Sequence, residues 1–238
     1  MERRDLDYGV YRDLIVGTGT DAVVVVPDYH GFTPYAQAIA ERLAQAAGRC
    51  GVLLDLYGNQ GMPISGGDAF AAINPMMEDR SLGLTRLQAA VDQLRTLGMK
   101  RIVAIGYSCG GTIVFDAART GMAIEGAVGF FGLADPLDNR PLVMRQPPEH
   151  RMPVLAMVGG RDQLVTHDTW VSFAEELEAF GLDWQLCVLG RAKHAFTLRQ
   201  EDNLEVQSGE QPALQLYDEP ADRRSWALLE GFLGECFA

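Results

Sequence analysis

Apolar runs and amphipathic stretches alternate along most of the chain. Residues 22–27 (Ala-Val-Val-Val-Val-Pro) read as a buried strand closed by a turn. Residues 33–47 predict a helix, with Ile39 and Leu43 on one face and Thr33-Pro34 as cap and first turn. A second strand is expected over 51–56. A long amphipathic helix over 79–97 carries Leu82, Leu84, Leu87, Val91 and Leu94. A third strand over 101–107 runs straight into a helix over 109–119. Strands over 126–131, 153–158 and 184–189 follow, with helices over 167–180 and 221–237.

Strands that are apolar at every position are covered on both faces, and here helices alternate with them. This pattern predicts an α/β architecture: a mostly parallel central sheet with helices on both faces. The chain of 238 residues fits one such domain, spanning 1–238, better than two. No internal repeat, low-complexity tract or linker breaks it. Ligands of such sheets bind at the carboxyl ends of the strands.

Hydrophobic residues make up 47% and charged residues 22%, a globular balance. The net charge of −12 and a pI near 4.7 repel phosphate backbones and anionic bilayers. Nucleic-acid and membrane partners are therefore not expected. The four cysteines form no C-x-x-C pair, so no zinc or thioredoxin-type site is expected. Cys50 and Cys187 read as small buried hydrophobes in a reducing compartment. Residues 1–7 lack the apolar stretch of a secretory signal, and no apolar run spans a membrane. The expected location is the cytoplasm.

The chemistry concentrates at strand ends. Gly106-Tyr107-Ser108-Cys109-Gly110 sits between a strand and a helix, as a nucleophile elbow requires. Side chains two before and two after the nucleophile would collide, and Gly106 and Gly110 avoid this. The turn lifts the Ser108 hydroxyl above the sheet and puts the Cys109 N–H at a helix N-terminus, where an oxyanion can be held. A serine needs a base, and the base an orienting acid, in the chain order Ser, Asp, His. Asp162 follows the strand over 153–158, and His194 follows the strand over 184–189. Those three are the expected triad.

The second oxyanion donor is expected from the loop after the first apolar strand, at the Tyr29 N–H. Asp28 is either a polar pocket residue or only a turn residue. His30 either lines the pocket or merely packs. It is a rival base by position, but it precedes Ser108, the wrong order for this fold. His150 reads as exposed and His167 as a helix start. Cys109 should turn into the helix, buried against the sheet rather than aimed upward.

These residues resemble the dienelactone hydrolase family across most of the chain. The family's elbow is G-[YF]-C-x-G-G, and Gly106 to Gly111 match it with Ser108 in place of the cysteine. Asp55-Leu56-Tyr57-Gly58 is similar to its D-L-Y-G segment, and the helix from Asp79-Arg80 through Leu94 to the one before its elbow strand. The run from Gly159 to Asp162 is similar to its acid loop, His194-Ala195-Phe196-Thr197 to its H-[AS]-F motif, and the run from Tyr217 to Trp226 to its entry into the last helix. The resemblance implies an α/β-hydrolase fold and hydrolysis of small esters or lactones. Two family features differ: Asp28 stands for a glutamate near the thiol, and Asn59 for an arginine that binds a substrate carboxylate. Arg199 lies close to where a second family arginine falls.

The resulting expectation is a serine hydrolase cleaving a small ester or lactone through an acyl-enzyme, with no metal or organic cofactor. Asp28, His30, Asn59 and Phe131 are the expected pocket residues. The rival readings are a non-catalytic binding protein on the same fold, or a thioesterase or acyltransferase. The stretch over 61–72, rich in glycine and small residues, reads as a mobile cover. Oligomeric state is not legible.

Overall fold

The computed structural model describes residues 1–46, 48–58, 65–134, 149–203, 209 and 217–238. It contains an eight-stranded sheet: β1 (Arg3–Tyr8), β2 (Tyr11–Val16), β3 (Asp21–Val26), β4 (Arg49–Leu53), β5 (Arg101–Tyr107), β6 (Gly126–Phe130), β7 (Val154–Gly159) and β8 (Trp184–Leu189). Their order across the sheet is β1-β2-β4-β3-β5-β6-β7-β8. β1, β2 and β4 pair antiparallel, and every other neighbour is parallel. The helices are α1 (Pro34–Leu43), α2 (Gly66–Glu78), α3 (Arg80–Thr96), α4 (Cys109–Thr120), α5 (His167–Ala179) and α6 (Glu219–Cys236). The expected α/β sheet is thus present.

The apolar strands explain the layering. Successive side chains point to opposite faces. Ala22, Val24, Ile102 and Ala104 join a core with residues of α3, α4 and α5. Val23, Val25, Val103 and Ile105 join a second core with residues of α1 and α6. Each fully buried Val, Leu or Ile contributes roughly 1.5–3 kcal/mol. Register then sets the site. Val26 lies opposite Gly106, Tyr107 opposite Phe130, and Gly159 opposite Leu189. The carboxyl ends of β3, β5, β6, β7 and β8 therefore open on one rim.

Some elements depart from expectation. The β1–β2 hairpin was not expected, because Arg3–Tyr8 is charged and mostly exposed rather than apolar. The strand expected over 51–56 runs Arg49–Leu53, and the helix expected from 33 ends at Leu43. Of the stretch over 61–72, residues 61–64 lie outside the described residues, and Gly66 onward is α2, capped by Ser65. Leu82 is exposed, since α3 buries the face of Arg80, Gly83, Arg86, Leu87 and Ala90 instead. Cys187 is only half-buried, because β8 is an edge strand.

Two buried ion clusters fix the helices, one onto the sheet and one onto each other. Arg86 of α3 pairs with Asp13 of β2, and Tyr8 bonds the same carboxylate. Arg86 Nε also donates to the Asp55 carbonyl (2.8 Å), and the Asp55 N–H donates to Asp13 (2.7 Å). The hairpin thereby holds the Asp55–Gly58 segment. In the second cluster, Asp116 of α4 accepts from Arg80 of α3 (2.6 Å) and from Arg119 (3.1 Å). Arg119 reaches on to Glu176 of α5 (2.7 Å). This cluster clamps together the two helices that begin beside Ser108 and beyond Asp162.

Candidate active site

Ser108 stands between β5 and α4 with φ 52° and ψ −118°. A non-glycine residue there costs on the order of 1–3 kcal/mol, so its surroundings must impose it. They do. The Ser108 N–H donates to the Phe130 carbonyl (3.0 Å), and its carbonyl accepts from the Thr112 N–H (3.1 Å). A Cβ on Gly106 would lie 2.2 Å from the Gly110 carbonyl oxygen, so no side chain fits at Gly106. Among the described residues, the other non-glycine positive φ values belong to Phe131 and Ala195, both at this rim.

Ser108 Oγ lies 2.9 Å from His194 Nε2, and His194 Nδ1 lies 2.9 Å from Asp162 Oδ2. The Asp162 side chain is inaccessible to solvent, and its other oxygen accepts the Leu164 N–H at 2.8 Å. A buried carboxylate on Nδ1 fixes the proton there and leaves Nε2 to accept the serine proton. The two loops are tied together, since the Arg161 N–H donates to the Ala192 carbonyl (2.9 Å). Phe131 packs edge-on against His194, with ring centres 5.2 Å apart, and also against Phe196 at 5.1 Å. It is buried behind the imidazole.

The loop after β3 adjoins the first turn of α4. Asp28 Oδ1 accepts the His30 N–H (2.9 Å) and lies 3.3 Å from His30 Nδ1. This is a turn-forming role, and it orders the loop that presents Tyr29. The Tyr29 carbonyl accepts the Tyr57 hydroxyl (2.6 Å). The Tyr29 ring meets His30 at 4.0 Å and Phe70 of α2 at 5.2 Å. His30 is 2% exposed, and its Nε2 is buried without a hydrogen-bond partner among the described residues. Cys109 is buried in the core. Burial, with a smaller push from Asp28, raises its thiol well above the ordinary range, so it stays protonated near neutrality. Asn59 lies outside the described residues, as do residues 137 and 144, other expected parts of the pocket wall.

Sequence reasoning gave no role to Tyr57, which braces the loop after β3, or to Tyr35. The Tyr35 hydroxyl donates to Thr197 Oγ1 (2.8 Å), pinning the segment after His194 to α1. Tyr57 stood in the D-L-Y-G resemblance, and Thr197, the partner of Tyr35, in the H-A-F-T one, but neither motif carried this geometry. Arg199 sits with its guanidinium 5.2 Å from the Tyr217 ring. Among the described residues, no group of three His, Cys, Asp or Glu side chains is placed to hold a metal.

The model of the dienelactone hydrolase family matches residues 15–237. The chain belongs to this family. Family membership makes it a carboxylic ester hydrolase, acting on esters or lactones. It is 30% identical over 183 residues to a probable 2-oxo-3-(5-oxofuran-2-ylidene)propanoate lactonase of Bradyrhizobium sp, covering 74% of this chain and 73% of that one. It is 25% identical over 171 residues to carboxymethylenebutenolidase 1 of Cupriavidus pinatubonensis, covering 68% and 69%. A crystal structure of a dienelactone hydrolase-like promiscuous phosphotriesterase from metagenomic libraries superposes with a TM-score of 0.84. It is 27% identical and covers 99% of this chain and 98% of that one. Among the described residues, no helix of this family member is long and apolar enough to cross a membrane.

Proposed function

We propose that the protein is a serine esterase of this family, working through Ser108, His194 and Asp162. The observation that carries the reading is the unbroken chain of two 2.9 Å contacts from Ser108 Oγ through His194 to Asp162. Ser108 Oγ attacks the ester carbonyl while its proton passes to His194 Nε2. Asp162 steadies the imidazolium. The tetrahedral oxyanion is held by the N–H groups of Cys109 and Tyr29, each worth about 10²–10³ in kcat. His194 then protonates the leaving alkoxide, leaving an acyl-Ser108. Water, deprotonated by His194, releases the acid and restores the serine. These steps need no cofactor. Residues 1–238 act as one hydrolase domain, in the cytoplasm.

The substrate class in this reading is a neutral or weakly polar ester or lactone. Two features support it. The Asp28 carboxylate lies in the oxyanion loop, where it opposes a second anion. Asn59 stands where the family resemblance places a carboxylate-binding arginine.

The test is turnover on paired acyl esters that differ only in whether the acyl chain ends in a methyl or a carboxylate. Wild type should favour the neutral member, and Ser108→Ala should lose both activities while keeping its fold. Preference for the anionic member would overturn the substrate class. Undiminished turnover by Ser108→Ala would overturn the mechanism.

A further inference from the structure

Two polar contacts hold the His194 ring, one at each nitrogen. They restrain the two nitrogens but bear little on rocking of the ring about the line that joins them. A contact on the flank of the imidazole is needed to set that tilt. Phe131, just past β6, supplies one: its ring stands edge-on to His194, at 65° and 5.2 Å between centres. The ring is wedged on its other sides. It packs against Phe196 at 5.1 Å and Tyr107 at 5.9 Å, and Tyr107 stacks on Phe130 at 4.6 Å. Tyr107 immediately precedes Ser108, and Phe196 follows His194 by two. One ring thus packs on the chain beside both members of the Ser108–His194 pair. At 2% exposure it offers almost no surface to a substrate.

The backbone is strained to put the ring there. Phe131 has φ 42°, a conformation that glycine adopts readily and a bulky residue avoids. The cause is visible on either side of it. The Phe131 N–H donates to the Met157 carbonyl of β7 (2.8 Å). One residue on, a Cβ at Gly132 would fall 2.8 Å from the carbonyl carbon of Gly111 in α4. The Leu133 N–H then donates to Thr112 Oγ1 of the same helix (3.1 Å). The chain must turn from β7 to α4 at Phe131. A glycine would make that turn without strain, but it would carry no ring.

We propose that Phe131 is a positioning residue for His194: the strained turn aims its ring at the imidazole, and the ring holds Nε2 in line with Ser108 Oγ. The proposal rests on the reading of Ser108, His194 and Asp162 as the triad. Acylation and deacylation both pass a proton through Nε2 in that reading, so a loosened imidazole slows turnover whichever step limits it. Where both steps slow together, kcat falls and KM holds.

The experiment compares wild type, Phe131→Leu, Phe131→Gly and Phe232→Leu. Each is assayed on p-nitrophenyl acetate and for its rate of fluorophosphonate labelling, at a temperature where urea unfolding shows it folded. Leu keeps apolar bulk without the flat ring edge. Gly accepts the turn and removes the ring. Phe232 is the control, because it belongs to the same core but packs on Gly126 at the opposite end of β6. In Phe131→Leu, kcat and the labelling rate should fall together by about 10–100-fold, and at least as far in Phe131→Gly, as expected for a base displaced by a fraction of an ångström. KM should stay within about two-fold of wild type, the mark of an interaction that serves the transition state alone. Phe232→Leu should keep both rates. Wild-type rates in either Phe131 variant, or an equal loss in Phe232→Leu, would overturn the proposal. So would a raised KM with kcat unchanged, which would make Phe131 a wall of the substrate pocket. Labelling of wild-type Ser108 that vanishes in His194→Ala would leave the triad reading standing in each of those cases.

Discussion

A methyl group on the α-carbon of Gly110 would fall 2.3 Å from the carbonyl oxygen of Val26. The first turn of α4 therefore rests directly on the end of β3. One contact sets the height of the Cys109 N–H and the start of the loop that carries Tyr29. The proposed nucleophile and both proposed oxyanion donors share this seat.

Gly110→Ala must part α4 from β3. We expect kcat/KM to fall by about 10²–10³, the effect of misplacing one oxyanion donor. Stability should drop by about 1–3 kcal/mol from overpacking. Steady-state kinetics beside urea unfolding separate the two effects.

Asp162→Asn keeps an oxygen for the Leu164 N–H but no longer fixes the His194 proton on Nδ1. The expected loss in kcat is about 10⁴-fold, with the fold intact. Stopped-flow acylation by an activated ester, read beside circular dichroism, checks it.

Arg86→Met leaves the Asp13 carboxylate buried without its cation. That should cost about 3–5 kcal/mol, while Arg86→Met combined with Asp13→Leu recovers much of the loss. Urea melts of the single and double variants decide this. A single substitution that costs nothing would mean the cluster does not hold the hairpin on α3.

Cys109 should resist alkylation in the native protein. Its raised thiol pKa lowers the thiolate fraction at every pH below that value, so any native-state labelling keeps rising through pH 9 instead of levelling there. Mass spectrometry of iodoacetamide-treated protein should find Cys187, which is half-buried, labelled ahead of Cys109. Cys109→Ala should retain ester hydrolysis within a few-fold.

The sequence displayed the parallel core because its strands are apolar on both faces. Arg101–Tyr107 and Trp184–Leu189 fall where expected. The constellation at the rim was legible for a related reason: Ser108, Asp162 and His194 each follow such a strand. The β1–β2 hairpin was not legible. Arg3–Tyr8 is charged and exposed, and its turn rests on Gly9 at φ 60°. Helix α2 was obscured by Gly66, Gly67 and Pro75, all poor helix formers. Arg86 and Arg119 drew no expectation from the sequence, because their distant partners leave no local mark. Asp13 lies 73 residues from Arg86, and Glu176 lies 57 from Arg119. Tertiary packing alone brings these charges together.

The most direct test of the central claim is fluorophosphonate labelling, with the adduct located by peptide mass spectrometry. Wild type, Ser108→Ala, His194→Ala and Cys109→Ala are compared. An activated serine displaces fluoride and keeps the phosphonyl group on Oγ. The account predicts an adduct on Ser108 in wild type and Cys109→Ala, and none in Ser108→Ala or His194→Ala. A folded wild type that takes no label, or an adduct that persists in Ser108→Ala, would contradict it.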